Sequence, residues 1–239
     1  MDKAVVLFSA GIDSTTALYW ALKRTQEVFA LTVDYGQRHK IEVSMARKQA
    51  RRLRVRHKVV RLDLRSFGGS SLTDESRPLP EYRAGGEIGS GVPDTYVPFR
   101  NGILLSMAAA WADVLEADSI ICGFNIIDSP HYPDTRPAFV RAMEKAVNCG
   151  TRSSVNRKKI AIRAPFASMT KADIIRTGLS LGADYSLSVS CYAGGETPCW
   201  KCSSCILRRK AWQEVGLKDP LVERLAKEGN HELDTEGQG

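Results

Sequence analysis

The residues of this chain with the most evident chemistry lie where an apolar run stops. Ala4–Phe8 has the length and β-branched content of a buried parallel strand. Ser9-Ala10-Gly11-Ile12-Asp13-Ser14 follows it, and a helix-period pattern starts near Asp13 and continues through Leu18, Ala21 and Leu22. A strand, a turn of small residues and a helix start together form an anion cradle. The unpaired N–H groups of the first helical turn and the helix dipole both favour negative charge there. Ser9, Ser14 and Thr15 add hydroxyl donors. No Gly-Lys-Ser/Thr follows the turn and no G-x-G-x-x-G is present, so neither the lysine-gripping P-loop nor the dinucleotide fingerprint applies. A plain βα turn with good capping residues is the alternative reading.

A second group is Cys191-x7-Cys199-x2-Cys202-x2-Cys205, four thiols within fifteen residues. That spacing predicts a closed tetrahedral Zn²⁺ site with no open position for water, hence a structural one; an iron–sulfur cluster is the rival. The other two cysteines, Cys122 and Cys149, read as core thiols. A third group is polar residues at strand ends. Asp34-Tyr35-Gly36-Gln37 follows the apolar run Val28–Val33; Asn125, Asp128, Ser129, His131, Tyr132, Asp134 and Arg136 follow Ser119–Gly123.

The elements that must position these groups alternate. Strands are predicted at 4–8, 28–33, 57–62, 119–123 and 160–164. Helices are predicted at 13–22, 37–54, 102–115, 137–147 and 171–181, with one more after the cysteines. Asn101 is the expected N-cap of the 102–115 helix, with Arg100 exposed just before it to meet an anion. Thr170 caps the 171–181 helix, paired with Asp173; Lys171 reads equally as a surface residue of its first turn. This order argues for a doubly wound, five-stranded parallel sheet, whose ligands bind beyond the carboxyl ends of the strands. Residues 66–95, with six glycines and three prolines, read as a mobile lid or a disordered insertion. One domain over 1–227 is expected, including a zinc-binding loop at 188–206, with a polar disordered tail at 228–239.

Composition narrows the class. Hydrophobic and charged fractions of 43% and 26% are those of a globular protein. No apolar run reaches the length of a membrane span and no cleavable leader is evident, so a cytoplasmic location is expected. Eleven Lys or Arg fall between Arg38 and Arg65 against two acids, Glu42 and Asp63. A nucleic-acid surface would interleave aromatics for base stacking, and this stretch has none, so a solvated helix face is the preferred reading and nucleic acid is not the expected partner. His39 and His57 lie in this basic stretch and are not expected to be catalytic. Trp200 and Trp212 suit either a homodimer face or the core.

Ser-Ala-Gly-Ile-Asp-Ser resembles the Ser-Gly-Gly-x-Asp-Ser loop of the ATP pyrophosphatases. Taken with the cysteine cluster, the chain resembles the 7-cyano-7-deazaguanine synthases, the nitrile-forming family of queuosine and archaeosine precursor synthesis. The match runs from Ala4 to Pro220. It includes Asp34-Tyr35-Gly36-Gln37-Arg38-His39, Gly68-Gly69-Ser70-Ser71-Leu72-Thr73, Val97-Pro98-x-Arg100-Asn101 and Tyr132-Pro133-Asp134-x-Arg136-Pro137-x-Phe139. It continues in Thr170-Lys171-Ala172-Asp173, Ser190-Cys191-Tyr192 and Gly216-Leu217-Lys218-Asp219-Pro220.

The resemblance implies a fold of the adenine-nucleotide alpha-hydrolase-like type and an ATP-dependent, C–N bond-forming ligase. Its substrates would be 7-carboxy-7-deazaguanine, ammonia and ATP, with Mg²⁺ between Asp13 and phosphate, one structural Zn²⁺ per chain, and a homodimer as the assembly. Asp13, Arg100 and Lys171 are then the expected catalytic residues. ATP would be held by Phe8, Ser9, Ala10, Gly11, Ile12, Asp13, Ser14, Thr15, Asp34, Tyr35 and Gln37. The second substrate would be held by Arg100, Asn101, Asp128, Tyr132, Asp134 and Arg136. Three departures stand out: Ala10 where the family has Gly, Phe99 where it has a small residue, and Ser129-Pro130-His131. The last two are expected to narrow or reshape the substrate edge and would suit a relative acting on a different carboxylate or on a tRNA base. A non-catalytic zinc-ribbon protein is the remote alternative.

Overall fold

The computed structural model describes residues 2–83, 91–127, 131–156 and 158–236. The elements in order are β1 (Lys3–Leu7), α1 (Ile12–Leu22), β2 (Glu27–Asp34), α2 (Ile41–Arg52), β3 (Arg56–Arg61), α3 (Arg100–Leu115), β4 (Ser119–Ile121), α4 (Pro137–Gly150), α5 (Arg152–Val155), β5 (Ala161–Arg163), α6 (Lys171–Ser180), α7 (Ser203–Val215) and α8 (Pro220–Glu236). The five strands pair in the order β3-β2-β1-β4-β5, every pair parallel. Val5 lies between Phe29 and Ile120, so the phosphate-type turn leaves the central strand.

Alternation along β1 divides the core. Ala4, Val6 and Phe8 face one side with Leu18, Met45, Ile174, Tyr185 and Trp212; Val5 and Leu7 face the other with Phe29, Leu31, Leu105, Ala108, Ile120 and Ile162. Helices therefore cover both faces, and all strand ends that could bind a ligand share one edge. Trp212 is core, set edge-on to Tyr185. The basic edge strand β3 is partly exposed, and two of its charges lie over aromatic rings, Arg56 over Phe29 and Lys58 over Trp111.

Local chemistry moved several boundaries. Residues 37–40 do not open α2. Instead, Gln37 folds its amide back, Oε1 accepting the Tyr35 N–H at 2.8 Å and Nε2 donating to Glu42 Oε1 at 2.8 Å. Asn101 is not the cap of α3. Phe99 is, in the left-handed region at φ 53°, and Arg100 and Asn101 are the first residues of the helix. The buried Asn101 N–H donates to Asp134 Oδ2 at 3.0 Å, so a carboxylate from the β4 exit serves the helix N-terminus. Thr170 does cap α6, accepting from the Asp173 N–H at 3.2 Å. Cys122 is a core thiol, but Cys149 is exposed near the end of α4. Within 66–95 the early part is anchored: Ser70, Ser71, Leu72 and Thr73 are buried, and Arg38 donates to the carbonyls of Asp74 and Arg77. Residues 84–90 lie outside the described residues. The last helix carries its backbone through 228–236, where composition read as a tail.

Ala10 is fully buried at φ 60°. A Cβ in the left-handed region is strained. Ala10→Gly is therefore expected to stabilise the protein by about 1 kcal/mol, raising Tm by about 2–4 °C in a calorimetric scan.

Candidate active site

A cavity of about 290 Å³ opens at the carboxyl edge of the sheet, between the β1–α1 turn and the loops after β2, β4 and α6. At one end stands the anion cradle. Ser9 and Ser14 hydroxyls lie 3.3 Å apart, Ser14 Oγ donates to Gly11 O at 3.1 Å, and Ser14 Oγ accepts the Ser9 N–H at 3.2 Å. Asp13, in the first turn of α1, accepts two bonds from Lys171 Nζ at 2.9 and 2.8 Å. Lys171 is thus not merely a surface residue: its position as first residue of α6 sends the ammonium group to the start of α1. Gly123 closes this end from β4. A Cβ there would come within 2.7 Å of the Asp13 backbone, so the position requires glycine.

At the other end the walls are aromatic. Tyr35, Tyr132 and Tyr192 line it with Arg100, Asn101, His39 and Glu42. Arg100 lies 5.7 Å over the Tyr35 ring, and its Nη1 donates to the Tyr35 hydroxyl at 3.2 Å. His39 and Tyr192 rings are 5.7 Å apart, and His39 Nε2 stands 3.4 Å from Glu42 Oε2. Burial lowers the His39 pKa to about 4, helped by Arg100, so the imidazole is neutral. Burial raises Glu42 from 4.5 to about 7, opposed by Gln37 and Arg100.

Because the folded pKa of Glu42 lies above its unfolded value, the native state holds the extra proton between them, and stability falls as pH rises through that window. A shift from 4.5 to about 7 corresponds to roughly 3 kcal/mol. Glu42→Gln, which has no charge to bury, is expected to gain on the wild type by about that amount between pH 4.5 and pH 8, read by urea denaturation of the ligand-free proteins.

Of the residues expected at the site, Phe8, Ser9, Gly11, Ile12, Asp13, Ser14, Tyr35, Arg100, Asn101, Tyr132 and Lys171 line the cavity. Ala10 is buried behind the turn, and Thr15 Oγ1 is turned to Gln49 Oε1 at 3.2 Å. Asp34 sits outside, 3.9 Å from Arg61, and Gln37 is occupied in shaping the loop. Asp134 serves α3, and Arg136 is exposed. Asp128, Ser129 and Pro130 lie outside the described residues. Neither Phe99 nor His131 lines the cavity. Phe99 crosses the first turn of α3, over Gly102, and packs edge-on against Phe139, so it does not narrow the pocket. Residues that the sequence left unassigned, namely His39, Glu42, Asn125, Ser190 and Tyr192, do line it. Two signals pointed to them: Glu42 is the sole acid of a strongly basic helix, and Tyr192 follows a metal-type cysteine.

The four cysteines of 191–205 converge, their sulfurs all within 4.8 Å of one another. The Cys199 N–H faces Cys191 Sγ at 3.4 Å, and the Lys201 and Cys202 N–H groups face Cys199 Sγ at 3.5 and 3.4 Å. Zinc with ~2.3 Å bonds requires sulfurs roughly 3.8 Å apart, so the set fits a tetrahedral ion. Behind it, the buried Arg208 of α7 is held by Asp219 through Nε at 2.5 Å and Nη2 at 2.8 Å, and donates through Nη1 to Ser190 at 3.1 Å. Arg208 therefore ties α7 to the start of α8 through the ion pair, and through Ser190 to the segment that carries both the cavity wall and the first cysteine.

The profile of the family described as queuosine biosynthesis protein QueC matches residues 3–216. A 7-cyano-7-deazaguanine synthase of Saccharophagus degradans is 46% identical over 222 residues, covering 91% of this chain and 96% of its own. One of Methylobacillus flagellatus is 48% identical over 221 residues, covering 91% and 94%. Among solved structures, a 4-thiouridine synthetase in complex with RNA and bound ATP superposes with a TM-score of 0.49 at 21% identity, over 90% of this chain and 50% of that one. Among the described residues no helix is long and apolar enough to cross a membrane.

Proposed function

This chain belongs to the family of the queuosine biosynthesis protein QueC, and on that premise we propose that it converts 7-carboxy-7-deazaguanine and ammonia to 7-cyano-7-deazaguanine at the expense of ATP. The observation that carries the reading is one cavity with an anion cradle at one end and an aromatic, arginine-bearing pocket at the other.

A carboxylate is a poor electrophile, being charged and resonance-stabilised. Its oxygen attacks the α-phosphorus of ATP, the bond to the β-phosphate oxygen breaks, and pyrophosphate departs with the electron pair. Ammonia then forms the C–N bond at the activated carbon, AMP leaves with the C–O electrons, and nitrogen loses a proton. Repetition on the amide oxygen, with loss of AMP and two protons from nitrogen, leaves the nitrile. No nucleophilic side chain is required, and the chain's part is positioning and charge. The first turn of α1, with Ser9 and Ser14, receives phosphate. Lys171 compensates the negative charge that Asp13 and phosphate bring together. Arg100 receives the substrate carboxylate, held in line by Tyr35.

Asp13, a hard oxygen donor facing the cradle, suits Mg²⁺, which when bound supplies charge neutralisation on phosphate. The four cysteines suit one Zn²⁺ per chain, which would fix the loop that carries Ser190 and Tyr192. Four thiolates kept for metal suit a reducing, cytoplasmic compartment. A homodimer belongs to the same reading, and light scattering of the purified protein tests it.

The deciding experiment supplies zinc-loaded protein with Mg²⁺, ATP, ammonium and 7-carboxy-7-deazaguanine, and reads products by mass. Nitrile together with AMP is the expected result. ATP binding with the deazapurine left unaltered would overturn the substrate and leave the nucleotide site.

A further inference from the structure

A carboxyl group in an aromatic pocket with no cation bonded to it is an unusual thing to build. Glu42 lies there, its side chain 13% exposed and lining the cavity. Among the described residues no lysine or arginine comes within ion-pairing distance of it. The groups that touch its oxygens are neutral, the Gln37 amide on Oε1 at 2.8 Å and the His39 ring 3.4 Å from Oε2, and the Arg100 charge acts on it from beyond ion-pairing distance. Gln37 is itself fixed by the Tyr35 N–H, so the carboxyl plane is set by the β2–α2 loop. Each carboxylate oxygen has a second acceptor position, and Glu42 therefore offers two parallel acceptors that no described residue takes up.

We infer that Glu42, oriented by Gln37 and His39, reads the adjacent ring N–H and exocyclic amine of a 2-aminopyrimidin-4-one ring, and so assigns the deazapurine to this end of the cavity. The inference rests on the proposed reaction.

The reaction asks one cavity to hold two flat bicyclic bases and not to exchange them. Their edges differ. A deazaguanine presents a ring N–H beside an amine, two donors spaced like the oxygens of a carboxylate. Adenine presents an acceptor nitrogen beside its amine, and that nitrogen facing Glu42 would set lone pair against lone pair. The walls at this end, Tyr35, Tyr132, Tyr192 and the His39 ring, suit a flat ligand of either kind, so stacking does not discriminate and the carboxylate must. The His39 ring, with Nε2 3.4 Å from Oε2, helps to hold the carboxyl plane in place. Two other carboxylates of this region, Asp34 beside Arg61 and Asp134 beneath α3, do not line the cavity.

The test is steady-state kinetics of the wild type and Glu42→Gln with each of the three substrates varied in turn. Loss of a charge-assisted pair of hydrogen bonds predicts a rise in KM for 7-carboxy-7-deazaguanine of roughly thirtyfold or more. KM for ATP and ammonium should stay within about twofold and kcat within about threefold. The wild type should reject 7-carboxy-7-deazahypoxanthine, which lacks the amine, by a similar factor in kcat/KM, and Glu42→Gln should lose most of that preference. A KM for the deazapurine that does not move overturns the inference. So does a rise confined to ammonium, which would make Glu42 an ammonium site. If the wild type forms no nitrile, the proposed function fails and this inference with it; nitrile formed by the wild type with an unmoved KM in the variant sinks the inference alone. Thermal melting verifies that the variant is folded. Should Glu42→Gln not fold, Glu42→Asp, which retracts the acceptors by one methylene, must show the same rise confined to the deazapurine.

Discussion

Asp13→Asn is expected to lower AMP formation by at least about a thousandfold while leaving the fold intact. The side chain sits in the first turn of α1, beside the serine-lined turn, and both of its oxygens are bonded to Lys171 Nζ. If that pair were only a structural link between α1 and α6, its modest burial, 23% and 18% exposed, would give it a small share of stability and none of the turnover. As part of the phosphate site the two act as a unit, and their substitutions should not add. Lys171→Met is expected to lose most of the activity by itself, and the double variant should be no worse than the poorer single. Product AMP measured by mass for the four proteins decides the matter. Additive losses would make them independent, and unimpaired AMP formation in Asp13→Asn would remove the carboxylate from the site.

Much of this arrangement was legible before the fold was known, and what was not has a physical cause. The central strand and its turn were readable because β1 is apolar on both faces and ends abruptly in small residues. The parallel order followed from strict alternation of strands and helices. The metal-type cluster was readable from spacing alone, since four thiols within fifteen residues are seldom anything else. Gln37, Asp134 and Ala10 take positions that spacing along the chain does not foretell. Gln37 looks like a ligand by position but closes its own loop. Asp134 looks like a base reader but serves a helix start thirty-three residues earlier in the chain. Ala10 keeps the conformation that a glycine would choose more cheaply, and its side chain is buried behind the turn. Glu42 and His39 are hard to place from sequence because a charged helix and its flanks usually face solvent. Only the loop geometry, set by Gln37, turns this pair inward.

Asp219→Ala is expected to destabilise the protein by about 3–5 kcal/mol, the largest stability effect predicted for a single residue here. Arg208 and Asp219 are 1% and 8% exposed at the side chain and paired through two bonds. Asp219 Oδ1 also accepts the Leu221 N–H at 3.0 Å, at the start of α8. Deleting the carboxylate leaves a guanidinium buried with, among the described residues, only the hydroxyls of Ser188 and Ser190 as partners, and desolvation of that charge is then uncompensated. Removing both partners should therefore cost less than removing Asp219 alone, so Asp219→Ala with Arg208→Met is expected to recover part of the loss in urea denaturation. The effect should not stop at stability. Ser190 lines the cavity and adjoins Cys191, so an unpaired Arg208 that seeks water would drag the metal loop and the Tyr192 wall with it. Zinc content per chain, measured by elemental analysis on the folded variant, should fall together with affinity for the deazapurine. A variant that loses stability but keeps both zinc and substrate affinity would show that the ion pair braces α7 and α8 alone.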